Sequence, residues 1–374
     1  MGERSRTRAL VVSRAIAARL RPKAPPAPVR RVLVAHNLLL GDTLMLTPLL
    51  AKLREQHQYA AITLLAAPPF VPLYGKNPYG VQALPFSPHR SETTRALLDE
   101  EPFDVAYVPG DNRYTWLAAA MRARHIVVHS GPRPLTQEWF ADEKHPYSAT
   151  PAAWGDMVSG LAEGGAPSPY ARGDWPAPDA TEFELPRAPY VVLHVGASTP
   201  LKFWMPDRWL ALAIELQSRG YDVVWSGGRG EEAFTRECDP QGRFRSYAGK
   251  LDLAQMWRLL ERAALLVVPD TGISHLGRAT WTPTVTLFGP GSAVLAGPGT
   301  FWRDTPWRSV TVDPFPCRDQ QMLFGRPIEW VRRCARNFPN ECPEPKCMQA
   351  ITLDAVVQSI DALLEGQRVG NLER

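Results

Sequence analysis

The sequence predicts an α/β protein with two Rossmann-like domains, each built on a parallel sheet, that face a cleft. Short apolar segments alternate with helical stretches over residues 31–129 and again over 190–288, which is typical of βαβ units. Between them, residues 164–189 are rich in Pro, Gly, Asp and Ala and lack periodicity, which favours a domain boundary. The third observation is LLVVPDTGISHL at residues 265–276, where a buried strand passes through Asp-Thr-Gly into a helix.

The elements of the first domain follow from short apolar runs and one leucine repeat. Strands are predicted at residues 32–35, 62–66, 105–108 and 125–129. Leucines at helical spacing predict a helix over residues 43–56, after the loop that follows the first strand.

The second domain repeats this alternation. Strands are predicted at residues 190–194, 221–226, 265–268 and 284–288. Helices are predicted at residues 207–219, from 231, at 253–263, from 273 and at 353–364. Because open parallel sheets bind ligands beyond the carboxyl ends of their strands, the loops after these strands are the places to search for a site.

Composition excludes several classes of protein. The chain has 374 residues, 45% hydrophobic and 21% charged, which suits a soluble protein of two domains. A net charge of +4 suits an anionic substrate but is too small to indicate nucleic-acid binding, and no nucleic-acid motif is present. No apolar run reaches the roughly 18 residues of a membrane span. Five cysteines, an odd number, favour a reducing compartment over a disulfide scaffold.

The N-terminus has two interpretations. Its basic residues are opposed only by Glu3, and apolar residues between them recur at near-helical spacing. One interpretation is a basic amphipathic helix lying on an anionic membrane surface. The other, which we favour, is a solvated tail over residues 1–28 that ends in a Pro-rich segment.

Residues 270–276 predict an anion-binding site. The first N–H groups of a helix lack intrahelical partners and the helix dipole adds positive potential, so a strand-to-helix turn of this kind can hold a phosphate. Gly272 permits close approach, and His275 lies one turn into the helix as a further donor. A nucleoside diphosphate is the expected ligand. The alternative is that Asp270 and Thr271 only cap an ordinary helix.

Three further residues follow predicted strands. Asp42 precedes a helix and is either a general base for a hydroxyl nucleophile or an N-cap. Lys202 lies in a loop rich in Gly, Ser and Thr, where its charge suits a leaving phosphate, although an isolated lysine is usually solvated surface. Glu231 follows a Gly-rich turn that is neither a P-loop nor a dinucleotide fingerprint, and it suits a base or ribose hydroxyl.

The order of these motifs resembles the heptosyltransferase family of bacterial glycosyltransferases, glycosyltransferase family 9. The motifs are LGD at 40–42, HVGAS and KFW within 194–204, GGRGE at 227–231, AGK at 248–250, DTGISHL at 270–276 and LFGP at 287–290. The resemblance covers residues 31–364. Val195, Ala197 and the pair Ile273-Ser274 depart from the family pattern, which implies a sugar pocket of different shape.

The resemblance implies a GT-B fold and an inverting mechanism with no catalytic metal or cofactor. Asp42 matches the family's proposed catalytic base, Ser198 and Lys202 match residues that hold the donor phosphates, and Glu231 matches the residue that reads adenosine. The donor-binding loop is matched by Asp270, which faces the transferred sugar, and by Thr271, Gly272 and His275. The expected organisation is an acceptor domain at 29–170, a linker at 171–189, a donor domain at 190–350 and a C-terminal helix and tail at 351–374.

A Cys-rich segment at residues 317–347 leaves three interpretations open. Cys317, Cys334, Cys342 and Cys347 are free or packed thiols, ligands of a structural zinc or iron, or disulfide partners. Free thiols are favoured, because the spacing is not that of a zinc knuckle.

The leading hypothesis is therefore a cytoplasmic glycosyltransferase. It would move a heptose-like sugar from an ADP-linked donor to a lipopolysaccharide-core, glycolipid or other glycan acceptor, with peripheral inner-membrane contact if the N-terminus binds lipid. The alternatives are a nucleotide-sugar 2-epimerase on the same fold and a nucleotide-sugar-binding protein without catalysis.

Overall fold

A computed structural model describes residues 2–18, 27–131 and 135–372. The chain divides into two compact units. Unit 1 comprises Met1–Pro169 and Met322–Trp330, and unit 2 comprises Tyr170–Gln321 and Val331–Arg374. Three chain crossings therefore join the units, where the sequence predicted a single linker.

Unit 1 is a parallel sheet flanked by helices. Its helices are α1 (Glu3–Ala18), α2 (Leu40–Leu44), α3 (Thr47–Gln56), α4 (Ser91–Leu98), α5 (Thr115–Ala120) and α6 (Trp154–Ser159). Its strands are β1 (Arg31–Val34), β2 (Ala61–Ala66), β3 (Val81–Pro85), β4 (Val105–Val108), β5 (His125–His129) and β6 (Glu143–His145). In the described part of the unit the strand order is β3-β2-β1-β4-β5-β6, with every pair parallel.

The helix predicted over residues 43–56 is two helices. The first begins three residues earlier, at Leu40, and a turn at Met45 and Leu46 separates it from α3. Pro48 lies in the first turn of α3, where its missing N–H costs no hydrogen bond. The break therefore coincides with a residue that favours the start of a helix.

The N-terminal segment differs from the favoured prediction of a solvated tail. Residues 3–18 form α1, which packs against α4 and α5. Ala15 is fully buried, and Leu10 and Val11 pack against the same apolar cluster. The carboxylate of Glu3 accepts hydrogen bonds from the backbone N–H and the hydroxyl of Ser91. Part of the apolar side that a membrane-surface helix would turn toward lipid is thus used within unit 1, whereas Ile16 stays exposed. Residues 19–26 lie outside the described residues.

Unit 2 is a second sheet-and-helix layer of the same topology. Its strands are β7 (Tyr190–His194), β8 (Asp222–Ser226), β9 (Arg245–Ser246), β10 (Leu265–Pro269), β11 (Thr284–Phe288) and β12 (Trp307–Thr311). Its helices are α7 (Pro206–Ser218), α8 (Glu232–Cys238), α9 (Leu253–Leu260), α10 (Gly272–Ala279), α11 (Lys346–Gln349) and α12 (Leu353–Leu372). The order β12-β11-β10-β7-β8-β9, again all parallel, repeats that of unit 1.

Two segments expected to lie outside the domains belong to the body of unit 2. The predicted linker at 171–189 is packed there: Trp175 is buried, with its ring 5.7 Å from that of Trp257. The C-terminal helix α12 contributes Val356, Ile360 and Leu363 to the core. Their apolar side chains explain why neither segment is a free connection or tail.

A short antiparallel hairpin crosses from the second half of the sequence into unit 1. Its strands are β13 (Met322–Leu323) and β14 (Arg326–Pro327), and we call residues 322–330 the hairpin arm. The sequence analysis assigned these residues to the Cys-rich part of the donor domain. The structure corrects that assignment.

Both sheets reverse their strand order at a point where ligands usually bind. The reversal lies between β1 and β4 in unit 1 and between β7 and β10 in unit 2. Asp42 follows β1, Ser198 and Lys202 follow β7, and Asp270 follows β10. The topology therefore brings the predicted residues of each unit to the expected edge of its sheet.

Candidate functional site

The turn from β10 into α10 is capped by Thr271. Its hydroxyl accepts a hydrogen bond from the backbone N–H of Ile273 at 3.3 Å, which is N-cap geometry. The hydroxyl of Ser274, further along the helix, bonds the hydroxyl of Thr286 at 2.6 Å and does not cap the helix. Capping by Thr271 satisfies one orphan donor of the helix, while Gly272 forms its first turn.

Lys202 and Asp270 form the centre of the site in unit 2. The ammonium Nζ of Lys202 donates to the backbone oxygen of Asp270 at 2.6 Å and to its Oδ2 at 2.9 Å. The two side chains retain 22% and 15% exposure, so the pair is mostly withdrawn from water but still open to a ligand. Lys202 is therefore not a solvated surface lysine, because the sheet topology brings it to a residue 68 positions away.

His275 lies behind this pair and is buried. Burial, together with the positive charges of Arg278 and Lys202, holds the pKa of His275 well below its usual value. The ring is therefore neutral at physiological pH and offers one N–H donor. It can hydrogen-bond a phosphate oxygen without adding a charge.

Glu231 joins the loops that follow β7 and β8. Its half-buried carboxylate accepts backbone N–H bonds from Gly228 and Ala197, and burial raises its pKa. A Cβ at Gly196 would overlap this carboxylate, so the close approach requires glycine there. Ser198 lies exposed in the same loop after β7.

Two buried arginines that sequence reasoning missed hold the segment after β11. Arg278 donates from Nη1 to the oxygen of Gly297 at 2.9 Å, and its guanidinium lies 4.6 Å from the ring centre of Trp307. Burial lowers the pKa of Arg278 to about 9, so it stays charged at neutral pH. Arg318 donates from Nε to the oxygen of Gly289 at 2.7 Å.

These arginines fix a segment that covers Asp270. A Cβ at Gly291, which lies between Gly289 and Gly297, would overlap the Asp270 carboxylate. The arginine bonds at Gly289 and Gly297 hold the segment on either side of that contact. No local pattern in the sequence marks Arg278, whose helix also carries the polar residues Ser274 and His275.

Asp42 lies in unit 1 inside α2. The N-cap of this helix is Leu39, so Asp42 lies in the first turn and the alternative that it is the N-cap residue is wrong. It is half-buried and interacts electrostatically with Tyr147. Leu39 beside it is 70% exposed, which leaves apolar surface open next to a carboxylate.

The cysteines are thiols. Cys317, Cys334, Cys342 and Cys347 are free, as is Cys238. Burial raises the pKa of Cys347 to about 11 and also raises that of Cys317. Over residues 2–18, 27–131 and 135–372, no group of three or more His, Cys, Asp or Glu side chains is arranged to hold a metal ion. Within these same ranges, no helix combines the length and apolarity needed to cross a bilayer.

The comparisons with known proteins converge on one family. Residues 162–324 match the family model described as glycosyltransferase family 9 (heptosyltransferase). Lipopolysaccharide heptosyltransferase 1 of Pseudomonas aeruginosa is 27% identical over 185 residues, which is 48% of this chain and 49% of that protein. The chain thus spans about half the length of this curated relative.

Solved structures show the same fold. Escherichia coli ADP-heptose lipopolysaccharide heptosyltransferase II has a TM-score of 0.68 at 20% identity, covering 91% of this chain and 99% of that one. The E. coli heptosyltransferase WaaC with ADP-2-deoxy-2-fluoro heptose has a TM-score of 0.59 at 17% identity, covering 89% and 99%. Both support the predicted GT-B architecture with a Rossmann-like sheet in each unit.

Proposed function

We propose that this chain, whose residues 162–324 match the model of glycosyltransferase family 9 (heptosyltransferase), transfers a heptose from an ADP-linked donor to a lipopolysaccharide-core or related surface-glycan acceptor, with inversion at the anomeric carbon. The observation that carries the proposal is the Lys202–Asp270 pair at the capped start of α10. It lies at the switch point of the unit 2 sheet, inside the segment that the family model matches.

The donor half of the reaction needs charge stabilisation on the departing diphosphate. Lys202 supplies a cation, since its ammonium can exchange the Asp270 carboxylate for a phosphate oxygen when the donor binds. The first N–H groups of α10 and the neutral ring of His275 supply uncharged donors. Preorganised donors of this kind are each worth about 3 kcal/mol at a transition state.

The acceptor half needs a base. In the proposed reaction, an acceptor hydroxyl gives its proton to Asp42 while its oxygen bonds to the anomeric carbon. The bond from that carbon to the diphosphate oxygen breaks, and ADP leaves with the bonding electron pair. A single displacement, in which the acceptor oxygen attacks the anomeric carbon on the face opposite the departing diphosphate, accounts for inversion, and no step requires a metal.

The proposal is tested by a transfer assay with ADP-heptose and the core oligosaccharide of a strain lacking this protein. Heptose addition is measured by mass spectrometry and is expected only when both substrates are present. An epimerase would change the nucleotide sugar without an acceptor, and a binding protein would change neither.

Nucleotide selectivity is a sharper readout of the donor half. Calorimetry is expected to show tighter binding of ADP than of UDP, and Glu231→Gln is expected to narrow the difference by about tenfold, the effect of one hydrogen bond to a charged group. The matched control is Glu237→Gln, which changes an exposed carboxylate on α8, the helix that begins directly after Glu231. Equal binding of UDP and ADP by the unmodified protein would contradict the adenosine assignment.

We place the enzyme in the cytoplasm, with the basic side of α1 against the anionic inner face of the membrane that carries its acceptor. Arg4, Arg8 and Arg14 are exposed on this helix, and each cation near such a surface contributes about 1 kcal/mol. Deleting residues 1–28 is not a clean test, because Ala15 belongs to the core of unit 1.

Charge removal tests the membrane contact without removing the helix. The triple variant Arg4→Gln, Arg8→Gln, Arg14→Gln is expected to lose most of its sedimentation with phosphatidylglycerol vesicles at low salt and to keep its melting temperature. The control carries Arg236→Gln, Arg243→Gln and Arg308→Gln, exposed arginines of unit 2 with the same total charge. Equal sedimentation of the two triple variants would rule out α1 as the contact.

A further inference from the structure

The hairpin arm is fixed to the ligand-binding edge of the unit 1 sheet by Arg326. Its guanidinium donates to the backbone oxygens of Gly110, Ser130 and His129, each at 2.8 Å. It also donates to Oδ1 of Asn112 at 2.8 Å and to the oxygen of Phe324 at 2.9 Å. All five N–H groups of this buried side chain are thereby used, so Arg326 is an anchor and has no donor left for a ligand.

The anchored residues belong to the loops after β4 and β5. Gly110 and Asn112 follow β4, and Ser130 follows β5. The order of the sheet reverses beside β4, so the arm lies where unit 1 is expected to bind its ligand. A second bond, from Trp330 Nε1 to the oxygen of Ser148 at 2.9 Å, holds the end of the arm.

The tip of the arm carries a strained aromatic residue. Phe324 and Gly325 form the two-residue turn between Leu323 and Arg326, with φ angles of 47° and 77°. Positive φ at both positions is the type I′ pattern, for which Asn-Gly is the preferred sequence. A bulky residue in this region costs about 1–2 kcal/mol, so the turn alone does not account for phenylalanine.

The ring of Phe324 lies beside the loop that leads to Asp42. A Cβ at Gly110 would lie 3.3 Å from a ring carbon of Phe324 and 3.3 Å from a methyl carbon of Leu38. The Phe324 ring centre is also 5.1 Å from that of Trp154. Phe324 is only half-buried among these neighbours, and Leu39, which follows Leu38 in the chain, is exposed.

Tyr147 links the arm to Asp42 on the other side. Its ring lies 4.2 Å from the ring of His129 and 5.2 Å from the guanidinium of Arg326. The charge of Asp42 raises the pKa of Tyr147, although burial is the larger cause. The arm, Tyr147 and the Asp42 helix are therefore parts of one cluster within unit 1.

We propose that Phe324 is a specificity-determining residue that packs against the apolar face of the acceptor sugar, with the hairpin arm forming one wall of the acceptor subsite. The inference rests on the proposed function, because it assigns the acceptor to unit 1. Sugar rings present C–H groups on one face, and an aromatic ring supplies a large apolar surface for them at little entropic cost.

Phe324→Asn separates this role from simple packing. Asparagine suits the turn, so the melting temperature is expected to stay the same or rise. The KM for the core oligosaccharide of a strain lacking this protein is expected to rise about tenfold, the upper range for one aromatic contact, with little change in kcat or in ADP affinity. Phe324→Tyr, which keeps the ring, is expected to retain the acceptor KM.

Two outcomes would overturn the proposal. One is an unchanged acceptor KM in Phe324→Asn, whatever happens to its melting temperature, and the other is an acceptor KM in Phe324→Tyr that rises as much as in Phe324→Asn although the aromatic ring is kept. Binding of the same oligosaccharide in the absence of donor is measured by saturation-transfer NMR, which keeps the test independent of turnover. Oligosaccharide binding that depends on Phe324 but leads to no heptose transfer would refute the proposed function and leave the subsite standing.

Discussion

Asp42→Asn is expected to lower kcat by about 10²–10⁴, the usual contribution of a general base, while the Kd for ADP stays unchanged. Asparagine keeps the shape of the side chain and removes only its ability to take a proton. ADP affinity is expected to be unaffected, because the proposed donor-binding residues lie in unit 2 and Asp42 lies in unit 1.

The control for this variant is Asp99→Asn, an exposed carboxylate of unit 1 at the end of α4. Melting curves of both variants exclude a loss of folding. An Asp42→Asn protein with unchanged kcat would remove Asp42 from the mechanism and leave the donor site unaffected.

Lys202→Met is expected to lower kcat by about 10²–10³ and to weaken ADP binding, because it removes a preorganised cation from the departing diphosphate. It also leaves Asp270 beside the phosphates without a counter-charge, which adds repulsion in the bound state. Lys202→Arg keeps the charge and is expected to recover part of the ADP affinity. The loss of binding is measured by calorimetry and the loss of rate by single-turnover transfer.

A matched control is Lys76→Met, which removes an exposed lysine from unit 1. If Lys202→Met bound ADP as tightly as the unmodified protein, the lysine would serve only to hold Asp270, and the assignment of a phosphate-binding role would be wrong.

The fold was most predictable where strands are buried on both faces. Strands β4, β5, β7 and β11 were predicted at their observed bounds, because central parallel strands are continuous apolar runs. Edge strands such as Glu143–His145 and Trp307–Thr311 were missed, since one side of an edge strand carries polar or mixed residues. The packing of α1 was missed for a related reason, because its arginines mask a narrow apolar stripe.

The candidate site was predictable as far as topology determines it. Lys202 and Asp270 follow adjacent strands, so their meeting follows from the strand order once the sheet is known to be parallel. The anchoring arginines Arg278, Arg318 and Arg326 were not predictable, because each bonds backbone oxygens distant in sequence and no motif marks such a partner. Phe324 was missed because no local sequence pattern indicates that residues 322–330 form a hairpin belonging to the unit built from residues 1–169.

The hairpin arm makes unit 1, the proposed acceptor unit, discontinuous in the amino-acid sequence. A fragment ending at residue 169 would lack Arg326 and would leave the oxygens of Gly110 and Ser130 without the donor that this buried guanidinium supplies. In a chimera that joins the first 169 residues of a relative to the remainder of this chain, the relative would supply most of the proposed acceptor subsite, and this chain would supply the hairpin arm. If the arm forms a wall of the acceptor subsite, as proposed, an exchange of acceptor preference requires two separate stretches of coding sequence, and residues 322–330 have to be exchanged together with the N-terminal part.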